Sequence, residues 1–161
     1  ERTLLVHSFS KSYAMTGWRI GAITAPEKVI KRMALLLETI TSCVSPFVQL
    51  AAVQAMTDSQ VYVDGMIAEY RKRRDLIVTG LNQIEGIHCV NPGGAFYVFP
   101  NITDTGLTSE EFSELMLETA NVATCPGNYF GEAGEGFVRF CFANSEKNIS
   151  NALYRINNAL I

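Results

Sequence analysis

The chain has 161 residues, of which 48% are hydrophobic and 18% are charged, and its formal net charge at pH 7 is −3. This composition is typical of folded globular proteins and argues against disorder. The charge gives no electrostatic reason to expect a nucleic acid partner, and every apolar run falls well short of the ~20 residues that span a bilayer. We therefore expect a folded chain whose partners include neither nucleic acid nor membrane.

The first elements predicted along the chain are two strands that flank a short loop. Apolar residues mark both strands: Leu4, Leu5 and Val6 before the loop, and Trp18, Ile20, Ala22 and Ile23 after it. The loop carries Lys11, which we therefore place at the ends of the strands. Arg19 falls inside the second strand, where an unpaired guanidinium is costly to bury and calls for an anion.

Three helices are predicted next. The first begins at Pro26-Glu27 and is interrupted at Ser45-Pro46, and the second covers Phe47 to Met56. The third runs from about Val61 to Ile84, and at ~1.5 Å per residue it would reach roughly 35 Å, enough to bridge two domains. We therefore predict a domain boundary near residue 85, which divides the chain into residues 1–85 and residues 86–161.

The second part of the chain alternates short strands and helices. Strands are predicted for Ile87 to Val90, Phe96 to Phe99 and Phe137 to Ala143. One helix follows Thr108, which has capping-box spacing to Glu111, and the last helix follows Ser145.

The last strand carries an arginine on the face opposite its aromatic residues. Val138, Phe140 and Phe142 alternate with Arg139 and Cys141, so Arg139 is predicted to face away from the aromatic core. The planar fork of a guanidinium matches a carboxylate bidentately, as recognition of an amino acid requires. A structural ion pair with a glutamate is the alternative.

The segment Ser8-Phe9-Ser10-Lys11-Ser12-Tyr13-Ala14-Met15-Thr16-Gly17-Trp18-Arg19-Ile20-Gly21 brings an amine, several hydroxyls and a guanidinium close together. This set suits pyridoxal 5'-phosphate (PLP), because a lysine amine forms a Schiff base with an aldehyde while hydroxyls and an arginine hold a phosphate. A lysine alone would be read as a surface residue. The full set favours the cofactor.

Three motifs in one order resemble the class I/II aminotransferases, the aspartate-aminotransferase-like branch of the fold-type I PLP enzymes. They are the lysine segment, then Pro92-Gly93-Gly94-Ala95-Phe96-Tyr97-Val98-Phe99-Pro100, then Cys125-Pro126-Gly127 with Gly134-Glu135-Gly136-Phe137-Val138-Arg139-Phe140-Cys141-Phe142-Ala143. The resemblance implies an α/β fold with an α+β carboxy-terminal part. Residues 1–85 would complete the large PLP-binding domain and residues 86–161 would form the small domain. Since family members are considerably longer, we expect a carboxy-terminal portion.

The resemblance also implies roles for individual residues. Lys11 would form the Schiff base with PLP, and Arg19 with Ser8, or less favourably Ser10, would bind its phosphate. Arg139 would bind the substrate α-carboxylate. Phe96 would form part of the substrate wall, although an aromatic residue in an apolar strand is explained at least as well by core packing.

The implied activity is amino-group transfer between an amino acid and a 2-oxo acid, by a cytoplasmic homodimer. The widely spaced cysteines fit reduced thiols and give little support to a metal site. PLP-dependent C-S lyases and aminocyclopropane-carboxylate synthases, which share the fold and the same pattern, are one alternative. A noncatalytic domain with an incomplete site is the other, and we expect the isolated chain to be inactive.

Overall fold

The computed structural model describes residues 2–161 and has the predicted α/β character, with helices and short strands interleaved along the chain. It divides into two compact units, the first ending at Gly65 and the second covering Met66–Ile161. This division lies within a helix, upstream of the boundary that we predict near residue 85. The assignment of residues 1–85 and 86–161 to two domains stays a prediction.

The first unit begins with the two predicted strands. β1, Leu5–Ser8, pairs antiparallel with β2, Gly21–Thr24, so that Ser8 lies opposite Gly21. A one-turn helix, α1 (Phe9–Ser12), and a 3-10 turn (Thr16–Trp18) connect them. The prediction of strands on both sides of Lys11 is confirmed. The placement of Trp18 and Arg19 in the second strand is wrong, because that strand begins only at Gly21.

The helices of the first unit follow the predicted pattern. α2 covers Glu27–Thr41 and α3 covers Pro46–Thr57. The hydrophobic core of this unit is small: among the described residues before position 66, Phe9, Met15 and Ala52 form its buried cluster. The apolar face of α2 is largely uncovered, since Leu36 is 58% and Ile40 is 69% exposed.

α4, Val61–Leu81, is the long predicted helix and includes the point at which the two units divide. It ends before Ile84, because the backbone tightens into i to i+3 hydrogen bonds from Gln83 to Gly80 and from Ile84 to Leu81. Ile84 is nevertheless buried. The apolar pattern therefore continues through the turn, and it cannot locate the end of the helix.

The second unit contains a three-stranded antiparallel sheet in the order β3-β5-β4, where β3 is Tyr97–Val98, β4 is Cys125–Pro126 and β5 is Val138–Cys141. The helices α5 (Ser109–Ala120) and α6 (Glu146–Leu160) complete the unit. The strand predicted for Ile87 to Val90 is wrong, since only His88 forms a bridge, to Asn101.

In the core of the second unit, the helices pack against the buried face of β5. Val138, Phe140 and Phe142 are all buried, as the alternation predicts, and they cluster with Leu81, Phe112, Met116 and Ile156. Both predicted helix caps are present: Thr108 and Glu111 form a capping box on α5, and Ser145 caps α6. Among residues 2–161, no helix is long and apolar enough to cross a membrane.

Candidate functional site

Lys11 lies in α1, directly after β1, and its side chain is exposed. The turn is fixed by local hydrogen bonds: the backbone N–H of Ser10 donates to the Ser8 hydroxyl over 3.2 Å, and the N–H groups of Tyr13 and Met15 both donate to the carbonyl of Phe9. Phe9 is buried beneath the turn. The buried ring anchors the segment while Lys11 and Ser8 remain accessible.

Arg19 lies between the 3-10 turn and β2, not inside a strand. Its backbone is left-handed, with φ 51° and ψ 51°, and its Nη1 donates a 3.0 Å hydrogen bond to the carbonyl of Thr16. The residue is exposed. The argument that burial forces Arg19 to find an anion is therefore wrong, and its predicted phosphate contact rests on the family resemblance and on the charge of an accessible guanidinium.

Two residues of the lysine segment, Tyr13 and Gly21, have structural roles. The ring of Tyr13 stacks on Phe9 with 5.3 Å between centroids, so Tyr13 packs against the small core. A side chain at Gly21 would come within 2.7 Å of the carbonyl oxygen of His7. The glycine therefore allows β1 and β2 to pair closely at the point where the chain turns towards Lys11.

Arg139 is half-buried on β5, between two of the buried residues of the inner face, as predicted. Its guanidinium carbon Cζ lies 4.5 Å from the centroid of the Tyr97 ring and 4.9 Å from the centroid of the Phe130 ring. Within residues 2–161, no carboxylate lies within ion-pair distance of the Arg139 guanidinium. The structural ion pair with a glutamate, considered above, is therefore not formed within the described chain.

Phe96 is half-buried next to β3, and its ring contacts aromatic neighbours. The centroid distances are 6.1 Å to Tyr70 and 4.5 Å to Tyr97. The packing of Phe96 against the core is thus observed, and a part in a substrate wall stays a prediction.

The predicted residues fall into two groups. Ser8, Ser10, Lys11 and Arg19 lie together in the first unit, and Phe96 and Arg139 lie in the second. Sequence reasoning missed Tyr97 and Phe130. Tyr97 could have been found from strand alternation, because it shares the outward face of the sheet with Arg139, whereas Phe130 lies in a 3-10 turn that has no periodicity.

The donors of the first group fit the cofactor that the sequence suggests. Lys11 offers a primary amine, and Ser8 offers an accessible hydroxyl. Arg19 offers a guanidinium with five N–H donors, one of which is hydrogen-bonded to the carbonyl of Thr16. An aldehyde and a phosphate are the groups that this combination can hold. A metal ion would need carboxylate, imidazole or thiolate ligands, which this group does not contain.

The comparisons with known proteins agree with these motifs. The family model "Aminotransferase class I and II" matches residues 1–156. An aspartate aminotransferase of Pyrococcus horikoshii is 46% identical over 99% of this chain and 41% of its own length. The aromatic-amino-acid aminotransferase 2 of Thermococcus litoralis is 44% identical, again over 99% of this chain and 41% of its own length.

Solved structures give the same result. The crystal structure of an aromatic aminotransferase from Pyrococcus horikoshii superposes with a TM-score of 0.94 at 46% identity, over 99% of this chain and 43% of that one. The chain thus spans about two fifths of the length of the relatives that it matches.

Proposed function

Because the chain belongs to the family of class I and II aminotransferases, we propose that the protein containing it uses PLP to transfer an amino group from an amino acid to a 2-oxo acid. One observation carries the proposal. Lys11 lies exposed on a turn anchored by Phe9, with the hydroxyl of Ser8 and the guanidinium of Arg19 in the same compact unit.

Each proposed role follows from the chemistry of the side chain. Ser8 and Arg19, with Ser10 as the weaker candidate, hold the phosphate and so fix the position of the cofactor. Arg139 binds the substrate α-carboxylate through paired N–H donors, and Phe96 borders the substrate. When bound, PLP supplies an electron sink that stabilises negative charge on the substrate α-carbon.

Lys11 has two proposed tasks. When PLP is bound, the Nζ of Lys11 would hold it covalently, and as a free amine Nζ would take up and return a proton. A general base of this kind must lie within hydrogen-bond reach of the proton that it moves. Replacement of Lys11 therefore removes both tasks, whereas replacement of Arg139 weakens only the binding of carboxylate substrates.

The remaining proposals concern the protein as a whole. We expect it to act as a homodimer in the cytoplasm, where the four free cysteines would remain reduced. We expect the 161-residue chain by itself to be inactive, because it spans about two fifths of the length of its relatives and the rest of the site would be missing. The homodimer and the cytoplasmic location are expected from the family.

Reductive labelling tests the lysine assignment. The chain is incubated with PLP, reduced with borohydride and digested, and the modified peptide is identified by mass spectrometry. We expect the pyridoxyl group on Lys11, with no adduct at this position in Lys11→Ala. Lys28→Ala is the matched control, since Lys28 is an exposed lysine of the same unit and its loss leaves the labelling of Lys11 unchanged. Equal labelling of all lysines would contradict a preformed site.

Product analysis then tests the reaction. The protein containing this chain is supplied with amino acids and 2-oxo acids, and both products are quantified. We expect one new amino acid for each 2-oxo acid formed. Release of ammonia without an acceptor would instead favour the C-S lyase alternative, and the absence of turnover in the longer protein would favour a noncatalytic domain.

A further inference from the structure

The guanidinium of Arg139 lies over two aromatic rings that come from different parts of the second unit. Tyr97 is supplied by β3, and Phe130 by the 3-10 turn Gly127–Phe130. Both ring centroids lie within the ~6 Å at which a cation is attracted to an aromatic face. We propose that Tyr97 and Phe130, here called the aromatic clamp, are positioning residues that hold the Arg139 guanidinium ready for a carboxylate.

The clamp suits this task because it leaves the N–H donors of the Arg139 guanidinium available for a ligand. The attraction acts between the delocalised cation and the ring electrons. In addition, no carboxylate of residues 2–161 forms an ion pair with Arg139. Arginine can stack on aromatic rings while its planar N–H fork binds a carboxylate. The rings thus restrict the guanidinium without taking the place of a ligand.

Tyr97 is placed by the pairing of the sheet. It lies opposite Cys141 in the antiparallel register, which makes Arg139 its diagonal neighbour on the same face. Val98, the next residue, is fully buried on the other face. The buried valine therefore fixes the strand, and the alternation of side chains directs Tyr97 towards Arg139.

Phe130 needs a different explanation, because its side chain is 55% exposed and core burial does not fix it. The ring packs edge-on against Phe99 at 5.8 Å, and Phe99 stacks on Phe137 at 5.3 Å. These contacts join Phe130 to the end of β5 that bears Arg139. Phe130 is therefore one end of an aromatic row that continues through Phe99 to Phe137.

The loop that carries Phe130 is closed by its own backbone. The N–H of Gly127 donates to the carbonyl of Phe137 over 2.9 Å, and a side chain at either Gly127 or Gly134 would collide with the backbone of the other. The loop is also tied to α5, since Asn128 donates to Glu110 over 3.0 Å. The backbone on either side of Phe130 is thus held in place, and the ring contact with Phe99 directs the side chain over Arg139.

The expected consequence is preorganisation. A long arginine side chain loses conformational freedom when it binds a ligand, and a side chain that is already restricted loses less. Removal of one ring should therefore weaken carboxylate binding by about tenfold, the range that a partly desolvated cation–π contact supports. This inference rests on the proposed function, in which Arg139 binds the substrate carboxylate.

The test is an NMR titration of the arginine side chains in the protein that contains this chain, because the proposed carboxylate site belongs to that protein. The Nε–H signal of Arg139 is assigned from its loss in Arg139→Lys, and pyruvate is added as the carboxylate probe, with methyl pyruvate as the probe that lacks the charge. In the unaltered protein we expect a signal displaced by ring currents, which responds to pyruvate alone. In Phe130→Leu we expect the signal to move towards that of an exposed arginine and pyruvate to bind about tenfold more weakly.

Two further variants separate positioning from folding. Phe130→Tyr keeps the ring and should restore both the signal and the affinity. Tyr129→Leu is the matched control, because Tyr129 is a 70% exposed aromatic residue on the same turn, and it should change neither. The melting temperature of each variant is measured in parallel.

The outcomes distinguish the two proposals. The clamp proposal is contradicted if the Arg139 signal keeps its position in Phe130→Leu. It is also contradicted if that variant binds pyruvate with unchanged affinity. If the unaltered protein responds to both probes equally or to neither, the carboxylate site of the proposed function fails. In that case the position of the Arg139 signal still decides whether the rings hold the guanidinium.

Discussion

The carboxylate of Glu135 accepts two hydrogen bonds from Ser109, one of 2.8 Å from the backbone N–H and one of 2.7 Å from the hydroxyl. Ser109 is the first residue of α5 and is fully buried, so its N–H and hydroxyl are shielded from water and Glu135 supplies their hydrogen-bond acceptors. The relationship fastens the loop that bears Phe130 to the start of a core helix.

This contact predicts an acid sensitivity. The hydrogen bonds from the Ser109 backbone and hydroxyl lower the pKa of Glu135 in the folded protein, and those from Thr108 lower the pKa of Glu111. A group whose pKa is lowered by folding stabilises the fold above its ordinary pKa of about 4.3, and this stabilisation is lost as the pH falls through the lower, folded value. The melting temperature should therefore decrease as the pH falls below about 4.

The variant Glu135→Gln should show a shallower decrease of melting temperature with acid, and a lower melting temperature at pH 7, than the unaltered chain. Glu132→Gln is the control, since it removes a carboxylate of the same loop and leaves both Ser109 bonds in place. Thermal melts followed by circular dichroism from pH 3 to pH 7 measure the difference. Parallel curves for Glu135→Gln and the unaltered chain would contradict the assignment.

The close approach of Gly127 and Gly134 predicts a second result. A methyl group at position 127 would overlap the backbone oxygens of Gly134 and Phe137, and rigid backbone cannot move aside as a side chain can. We expect Gly127→Ala to destabilise the fold by about 2 kcal/mol or more, as overpacking commonly does. Gly93→Ala, where nothing lies within 4 Å, should change stability by less than about 0.5 kcal/mol. Urea denaturation compares the two, and equal midpoints would refute the close packing of the loop.

The core of the second unit predicts a third result. Phe112 on α5 is fully buried and meets Phe140 of β5 edge-on, with 6.4 Å between ring centroids. Phe112→Ala should reduce the free energy of unfolding by about 3–5 kcal/mol, because it leaves a cavity in close-packed surroundings. Leu117→Ala on the same helix is the control, since Leu117 is 57% exposed. A loss below about 1 kcal/mol in Phe112→Ala would mean that α5 is not packed on the sheet as described.

The cysteines provide a fourth prediction. Burial raises the pKa of the Cys89 thiol to about 11, so little of the reactive thiolate is present near neutral pH. Cys43 and Cys141 are exposed. At pH 8 we expect a maleimide to label Cys89 on the order of a hundredfold more slowly than the two exposed thiols. Peptide mass spectrometry over a time course measures this, and denaturant should abolish the difference. Equal native rates would show that Cys89 is accessible.

Some elements of this fold are predictable from short stretches of sequence. Thr108 with Glu111, and Ser145 before the last helix, are caps whose partners lie three residues away, and both form as predicted. The spacing of Val138, Phe140 and Phe142 likewise predicts their burial. In each case the interaction is local or repeats with the period of the element, so the pattern contains the information.

Other features depend on what the chain packs against. The apolar face of α2 has helical spacing, yet Leu36 and Ile40 stay exposed because no described segment covers them. The strand predicted for Ile87 to Val90 reduces to one bridge at His88, since a strand exists only where a partner supplies hydrogen bonds. Periodicity identifies the face that can be buried, and it does not supply the partner.

The same distinction holds for the candidate site. The sequence by itself determined the family, the fold class and the chemical identity of the donors. It also placed Lys11 between two strands and Arg139 on the outward face of the last strand. Tertiary structure alone decided that Arg19 is exposed and that Phe130 reaches Arg139 beside Tyr97. The physical reason is that the type and spacing of residues fix local chemistry, whereas contacts between distant residues form only when a sheet pairs and a loop closes.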